Sequence, residues 1–227
     1  MKKEVQKLCL MAMKGILSVG ISLGVLAPGS VFGEFYVAGM GGYVVPNGFN
    51  NTQFEFAPDD GHTFDLKLEN SAMGGGKIGY YFPSWEWVGV GIETEGVFAW
   101  PNLKEQTVMG SGCQCYLFTA KREIQVITWG INALARYPGK RIQPYVGAGL
   151  GVFFASESIQ GYPLSTDNWV PGLNFLAGVR GFVTDHLALF AEYKYNRATF
   201  TLGSLKGDYS ANIAAGGLSF HFNVDPL

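Results

Sequence analysis

The sequence predicts an all-β chain that closes as an eight-stranded antiparallel up-and-down transmembrane β-barrel. Three observations carry this. Long stretches alternate apolar and polar residues with a period of two, which separates the two faces of an extended strand. After residue 33 no apolar run approaches the roughly 20 residues that a membrane helix needs, although hydrophobic residues make up 48 % of the chain. The connections between the alternating stretches are short and long in turn, as a barrel with two unlike rims requires.

The chain begins with Lys2, Lys3, Lys7 and Lys14, an apolar run over 15–26, and small residues up to Gly33. Basic start, short apolar centre and small residues before the cut read as a secretory signal peptide over 1–33, with Val31 and Gly33 at the −3 and −1 positions. Cleavage before Glu34 leaves 34–227 as the barrel domain. An uncleaved anchor helix is the alternative, for which the apolar centre is short. Cys9 precedes the apolar run and leaves with the signal.

Eight strands follow, over 34–46, 70–82, 86–100, 119–137, 142–156, 171–184, 186–200 and 208–223. On the second, Ile78, Tyr80 and Phe82 oppose Lys77, Gly79 and Tyr81. The third sets Val88, Val90, Ile92, Phe98 and Trp100 against Gly89, Gly91, Glu93 and Glu95. On the fourth, Ile127, Trp129, Ile131 and Tyr137 oppose Thr128, Asn132 and Arg136. The fifth carries Gly147, Gly149 and Gly151 on one face, read as lumenal space for long side chains from across the barrel. A phosphate-cradling loop would need a following helix that an apolar strand does not supply. The sixth sets Phe175, Ala177 and Val179 against Asn174, Gly178 and Arg180.

The last two strands show the alternation at its longest. Leu187, Leu189, Ala191, Tyr193 and Tyr195 alternate with Ala188, Phe190, Glu192, Lys194 and Asn196, and Leu218, Phe220 and Phe222 with Gly217, Ser219 and His221. A soluble sandwich strand usually ends after about 5–6 residues, whereas lipid outside and a narrow lumen inside suit a longer one. Here the segments 187–196, 143–152 and 215–222 resemble the small outer-membrane β-barrel family, the OmpA/OmpX-type barrels that include porin-like opacity and surface antigens. The resemblance covers most of the mature chain and implies an outer-membrane location, contact with outer-membrane lipid, and export and barrel-assembly machinery as partners. Many members finish on a terminal aromatic residue, whereas five residues follow Phe222 here, so the assembly signal is internal or its recognition relaxed.

Pro83 to Trp85, Pro138 to Arg141 and Thr184 to His186 form the tight connections, built from Pro, Gly and Asp. The long ones lie near 47–69, 101–118, 157–170 and 201–207, and short turns on the periplasmic side make them extracellular. Residues 52–56 and 63–68 alternate around Pro58 and Gly61, so the first hairpin is expected to continue above the membrane as a ribbon. A ten-stranded barrel is the competing count, against which stands the charge of these halves.

The inward faces collect Lys77, Glu93, Glu95, Arg136, Arg180, Glu192 and Lys194. Three acids and four bases in one narrow barrel predict an interlocked lumenal network, since buried charge is tolerated only when paired. Two readings remain open: the network holds the barrel shut, or it gates a path for ions or small solutes. Tyr80, Phe82, Trp85, Trp87, Tyr137 and Phe222 gather at the short-turn rim, with Trp100, Trp169 and Phe200 near the other, as two interfacial girdles would.

No chemistry is legible beyond this. Among the three His, His62 lies in the first long loop, His186 in a tight turn and His221 near the end of the last strand. Ser219 and His221 share a face and read as structural. Lipid-deacylating barrels carry Ser and His together near the outer end of a strand, and 187–200 holds no such pair. A lipid-modifying enzyme is therefore the weakest alternative. No catalytic, cofactor or metal residues are predicted. Cys113 and Cys115, one residue apart, suit a disulfide poorly and lack metal-binding neighbours, so a loop feature or a strained disulfide remains. The net charge of −2 gives no footprint for nucleic acid. The expected function is that of a non-enzymatic structural or surface protein whose loops 47–69, 101–118 and 157–170 bind an extracellular ligand, with a small channel as the alternative.

Overall fold

The computed structural model describes residues 33–54, 64–83, 87–103, 106–110, 115–119, 122–158, 168–202 and 205–222. The expected signal peptide, His62, Trp85, Cys113 and the tips of the long loops lie outside the described residues, as do the side chains of Cys115, Trp169 and Phe200. The strands are β1 (Glu34–Phe54), β2 (Phe64–Leu66), β3 (Ser71–Tyr81), β4 (Gly89–Ala99), β5 (Asn102–Leu103), β6 (Gln106–Gly110), β7 (Cys115–Thr119), β8 (Arg122–Arg136), β9 (Ile142–Ser158), β10 (Asn168–Phe182), β11 (Leu187–Leu202) and β12 (Leu205–Phe222).

Eight of them form the barrel. Each pairs antiparallel with its neighbours in the order β12-β11-β10-β9-β8-β4-β3-β1, and β1 pairs with β12 to close the ring. The short β2 and β5 are extensions on β1 and β8, and β6 and β7 make a separate hairpin. Closure removes every open edge, so all backbone polar groups within the bilayer are satisfied inside the sheet. Among the described residues no helix is long and apolar enough to cross a membrane.

Several boundaries differ from the sequence expectation. β1 runs on to Phe54 rather than stopping at 46, and β2 pairs back onto it, so the first hairpin continues as a ribbon beyond the barrel. A register shift between Pro46 and Gly48 bends it there, and Gly48 takes the left-handed φ of 92° that the bulge demands. The connection near 201–207 is no long polar loop: Leu202 pairs with Leu205. At the front of β4 and β8 the strands begin about three residues later than expected, at Gly89 and Arg122.

The short turns are tied to one another. The Phe82 amide donates to the Val90 carbonyl at 2.9 Å and the Tyr137 amide to the Pro144 carbonyl at 2.9 Å. The Phe182 amide reaches the Arg141 carbonyl at 2.8 Å, linking neighbouring turns. Thr184 Oγ1 accepts from the Leu187 amide at 3.0 Å, a side-chain clamp on the last of them.

Outward residues form the lipid belt. Ile131, Leu150, Val146, Leu189 and Leu218 are exposed, and along β12 the outward face stays free of polar side chains from Phe222 to Ala214. That is about 20 Å of height for strands tilted by about 40°, near the roughly 25 Å of a bilayer band. Above it the same face turns polar: Tyr193 donates to Asn212 at 2.6 Å, Asn212 to Asn47 at 3.2 Å, and Asn47 to Ser210 at 3.1 Å. Inside the belt, Trp129 Nε1 donates to Thr94 Oγ1 at 2.8 Å while Thr94 donates to the Gly130 carbonyl, so neither group faces lipid unpaired.

Candidate functional site: the filled lumen

The inward faces meet in a packed lumen with three storeys. At the short-turn rim Glu34 of β1 contacts both His221 of β12 and Arg136 of β8. Arg136 also donates to Gln143 Oε1 at 2.9 Å, and Gln143 donates to the Gly139 carbonyl at 2.9 Å. One carboxylate thus joins the first strand to the last and to a strand across the ring.

The middle storey holds the charges. Lys77 Nζ lies 2.7 Å from Glu192, 3.1 Å from Glu93 and 3.5 Å from Glu95. Lys194 contacts Glu95 and lies 3.2 Å from Glu192. Neutral donors complete the carboxylates: Tyr36 donates to Glu93 at 2.5 Å, Tyr145 to Glu192 at 2.9 Å, Asn132 to Glu93 at 3.2 Å and Asn174 to Glu95 at 2.9 Å. Each of these charged side chains is within a few per cent of full burial. Such a cluster is costly to assemble and costly to break, because removing one partner strands a charge in a dry interior.

Arg180 is held differently. Its guanidinium lies 4.4 Å from the Tyr36 ring centre, 5.4 Å from Tyr145 and 5.6 Å from Tyr81, and Arg136 stacks 3.8 Å over Tyr81. Nε and Nη1 of Arg180 make no hydrogen bond among the described residues, so aromatic faces carry much of its stabilisation.

The third storey is apolar. Met40, Val44, Met73, Val97, Phe153, Ala198, Tyr209, Ala211 and Ile213 belong to one buried cluster that fills the long-loop side of the charges, and Phe190 joins the same cluster from below Glu192 on β11. A period of two fixes which residues point inward, but not at which height the inward set changes from charged to apolar.

Glycines supply the space. A Cβ at Gly91 would meet the Tyr81 ring at 2.6 Å, at Gly178 the Tyr145 ring at 2.6 Å, and at Gly217 the Phe190 ring at 2.9 Å. Each ring lies over the glycine directly opposite it in the register. On β9, Gly147 makes room for Leu134 and Leu176, and Gly149 for Asn132. Their space therefore serves adjacent strands, not side chains from across the barrel.

Of the seven charges picked from the sequence, Lys77, Glu93, Glu95, Glu192 and Lys194 meet in one cluster, whereas Arg136 and Arg180 stand apart toward the short-turn rim. Glu34 went unnoticed because it sits at the expected cleavage point. Asn132 and Asn174 carry the expected inward phase without being assigned to the network, and Tyr36, Tyr145 and Gln143 join it unpredicted, though their inward phase on charged strands is a usable signal. Ser219 Oγ lies 2.9 Å from His221 Nε2, whose Nδ1 faces Glu34, the order of a nucleophile, base and acid. Ser219 and His221 are 1 % and 0 % exposed, with Tyr36 and Phe182 ring centres 5.1 and 4.8 Å from the imidazole. The arrangement is sealed. Among the described residues no group of three His, Cys, Asp or Glu stands where it can hold a metal ion.

A closed barrel with an apolar belt and a filled lumen agrees with the sequence match of residues 16–222 to the outer membrane protein beta-barrel domain. The chain belongs to this family. As an outer-membrane barrel, it is similar to several solved structures. Neisserial surface protein A shares 17 % identity at a TM-score of 0.45, over 83 % of this chain and 97 % of that one. OprG from Pseudomonas aeruginosa shares 14 % at 0.49, over 86 % and 98 %, and Ail, the attachment invasion locus protein of Yersinia pestis, 18 % at 0.40, over 84 % and 99 %. No curated protein matches the chain in sequence.

Proposed function

We propose that this outer-membrane barrel is a non-enzymatic, non-conducting anchor, exported by a signal peptide over 1–33, whose long connections around 47–69, 101–118 and 157–170 present a binding surface outside the cell. The observation that carries the reading is the three-storey lumen. A path for ions must cross Glu34 and Arg136, then the Lys77 and Lys194 cluster, then the apolar layer of Met73, Val97 and Phe153. An eight-stranded ring is about wide enough for side chains alone to fill. The burial of Ser219 and His221 likewise favours a structural over a catalytic role.

Reconstitution into planar bilayers tests the closed lumen, with no stepwise current expected across ±100 mV. Unitary conductance altered by Glu93→Gln would replace this reading with a gated channel. For the loops, deletion within 159–167 or 111–114 is expected to abolish binding to host cells or matrix while the heat-modifiable folded band persists. Binding that survives both deletions together would remove these two loops from the function.

A further inference from the structure

On the lipid-facing surface at the short-turn rim, Trp87 and Val88 just before β4 and the outward faces of β8, β9 and β10 frame a groove of about 480 Å³. Small residues make its floor: Ala135, Pro144 and Ala177. Trp87, Tyr137 and Val146 wall it, and Trp87 is 82 % exposed. Elsewhere in the belt, long side chains such as Leu150 and Ile131 stand out into the bilayer. Here they step aside over several strands.

Beside the groove, the turn between β8 and β9 carries Lys140 and Arg141, adjacent in sequence and both exposed. Tyr137 and Ile142 hold this turn at the rim, where the indole of Trp87 and the phenol of Tyr137 sit at headgroup level. An apolar trough that begins at the membrane interface beneath two cations has the shape and charge of a phospholipid: acyl chain below, phosphate above. Short turns face the periplasm in barrels of this kind, so the lipid comes from the inner leaflet.

We propose that this groove is a binding site for an anionic phospholipid of the periplasmic leaflet, its acyl chain lying over Ala135, Pro144 and Ala177 and its headgroup held by Lys140 and Arg141. An uncharged apolar surface would take any lipid equally. The two cations make the site selective, because each basic residue near a membrane surface favours anionic headgroups several-fold.

The test uses the chain purified from outer membranes in mild detergent and titrated with phosphatidylglycerol or phosphatidylcholine, with bound lipid counted by native mass spectrometry. One phosphatidylglycerol is expected to remain bound with a preference of about 10- to 30-fold over phosphatidylcholine. Lys140→Gln with Arg141→Gln removes the preference without moving the heat-modifiability of the barrel, and Ala135→Phe, which fills the floor, lowers retention of both lipids. Equal retention of the two lipids by the unaltered chain overturns the proposal. So does a preference that survives Lys140→Gln with Arg141→Gln, or a lipid-free dimer that Ala135→Phe dissociates, which would make a second copy the occupant.

Discussion

Glu34 and His221 are in contact across the seam of the barrel although 187 positions separate them. The first and last strands pair along this seam from Phe35 with Phe222 up to Phe54 with Leu205, and the Glu34 carboxylate pins its lower end while holding Arg136 of β8. Glu34→Ala leaves an imidazole nitrogen without its partner and a buried guanidinium with Gln143 but no counter-charge. The loss is expected to be about 3–5 kcal/mol, read as a lower urea midpoint for the barrel refolded in lipid vesicles. An unchanged midpoint would show that the seam is held by its backbone ladder alone.

Lys77 occupies a more exacting position, because three carboxylates converge on one ammonium. Lys77→Met leaves only Lys194 to balance them, so it is expected to cost more than Glu34→Ala and to couple to Glu93→Gln by at least about 1 kcal/mol in a double-mutant cycle. Bilayers containing Lys77→Met should still carry no current, since the apolar layer above seals independently. Leak currents in that variant would show that the charges, rather than Val97 and Phe153, close the lumen.

These two clusters mark how far the sequence could be read. The direction of each side chain followed from the period of two: Val90 and Ile92 outward, Glu93 and Glu95 inward, Leu189 outward and Lys194 inward. Which inward residues meet is a matter of register between strands, and no local pattern encodes that Lys77 reaches Glu192 across 115 positions. Height along the barrel is equally hidden. Lys194 and Ala198 share one face of β11, yet Ala198 joins the apolar storey and Lys194 the charged one. The connection expected at 201–207 is short for another reason: β11 and β12 stay paired up to Leu202 with Leu205, and the Gly and Ser between them look like a loop in sequence.

Glycines on the two faces should respond in opposite ways. A Cβ at Gly178 meets the Tyr145 ring at 2.6 Å, and that ring cannot retreat without releasing Glu192. At Gly39 on the outward face a Cβ meets nothing within 4 Å. Gly178→Ala is therefore expected to cost roughly 1–3 kcal/mol through overpacking, and Gly39→Ala to be neutral or slightly favourable. Equilibrium unfolding of the two variants side by side checks the ranking. Equal stability would mean that the lumen is loosely filled.

The lipid belt makes a prediction that depends on depth alone. Ile131 and Leu150 are register partners in the middle of β8 and β9, and both are exposed on the outer face. Ile142 is similarly exposed but starts β9 at the rim. Burying an arginine at the bilayer midplane costs about 2–4 kcal/mol, against about 0–1 near the interface. Leu150→Arg should therefore lower the unfolding free energy in vesicles by a few kcal/mol, while Ile142→Arg leaves it nearly unchanged. In a non-ionic detergent micelle, which deforms around a charge more readily than a bilayer, the gap between the two should narrow. Because neither side chain touches the lumen, the contrast reports the position of the membrane and nothing else. Equal effects at both sites would require the hydrocarbon band to be centred elsewhere than on the apolar belt that runs from Phe222 to Ala214.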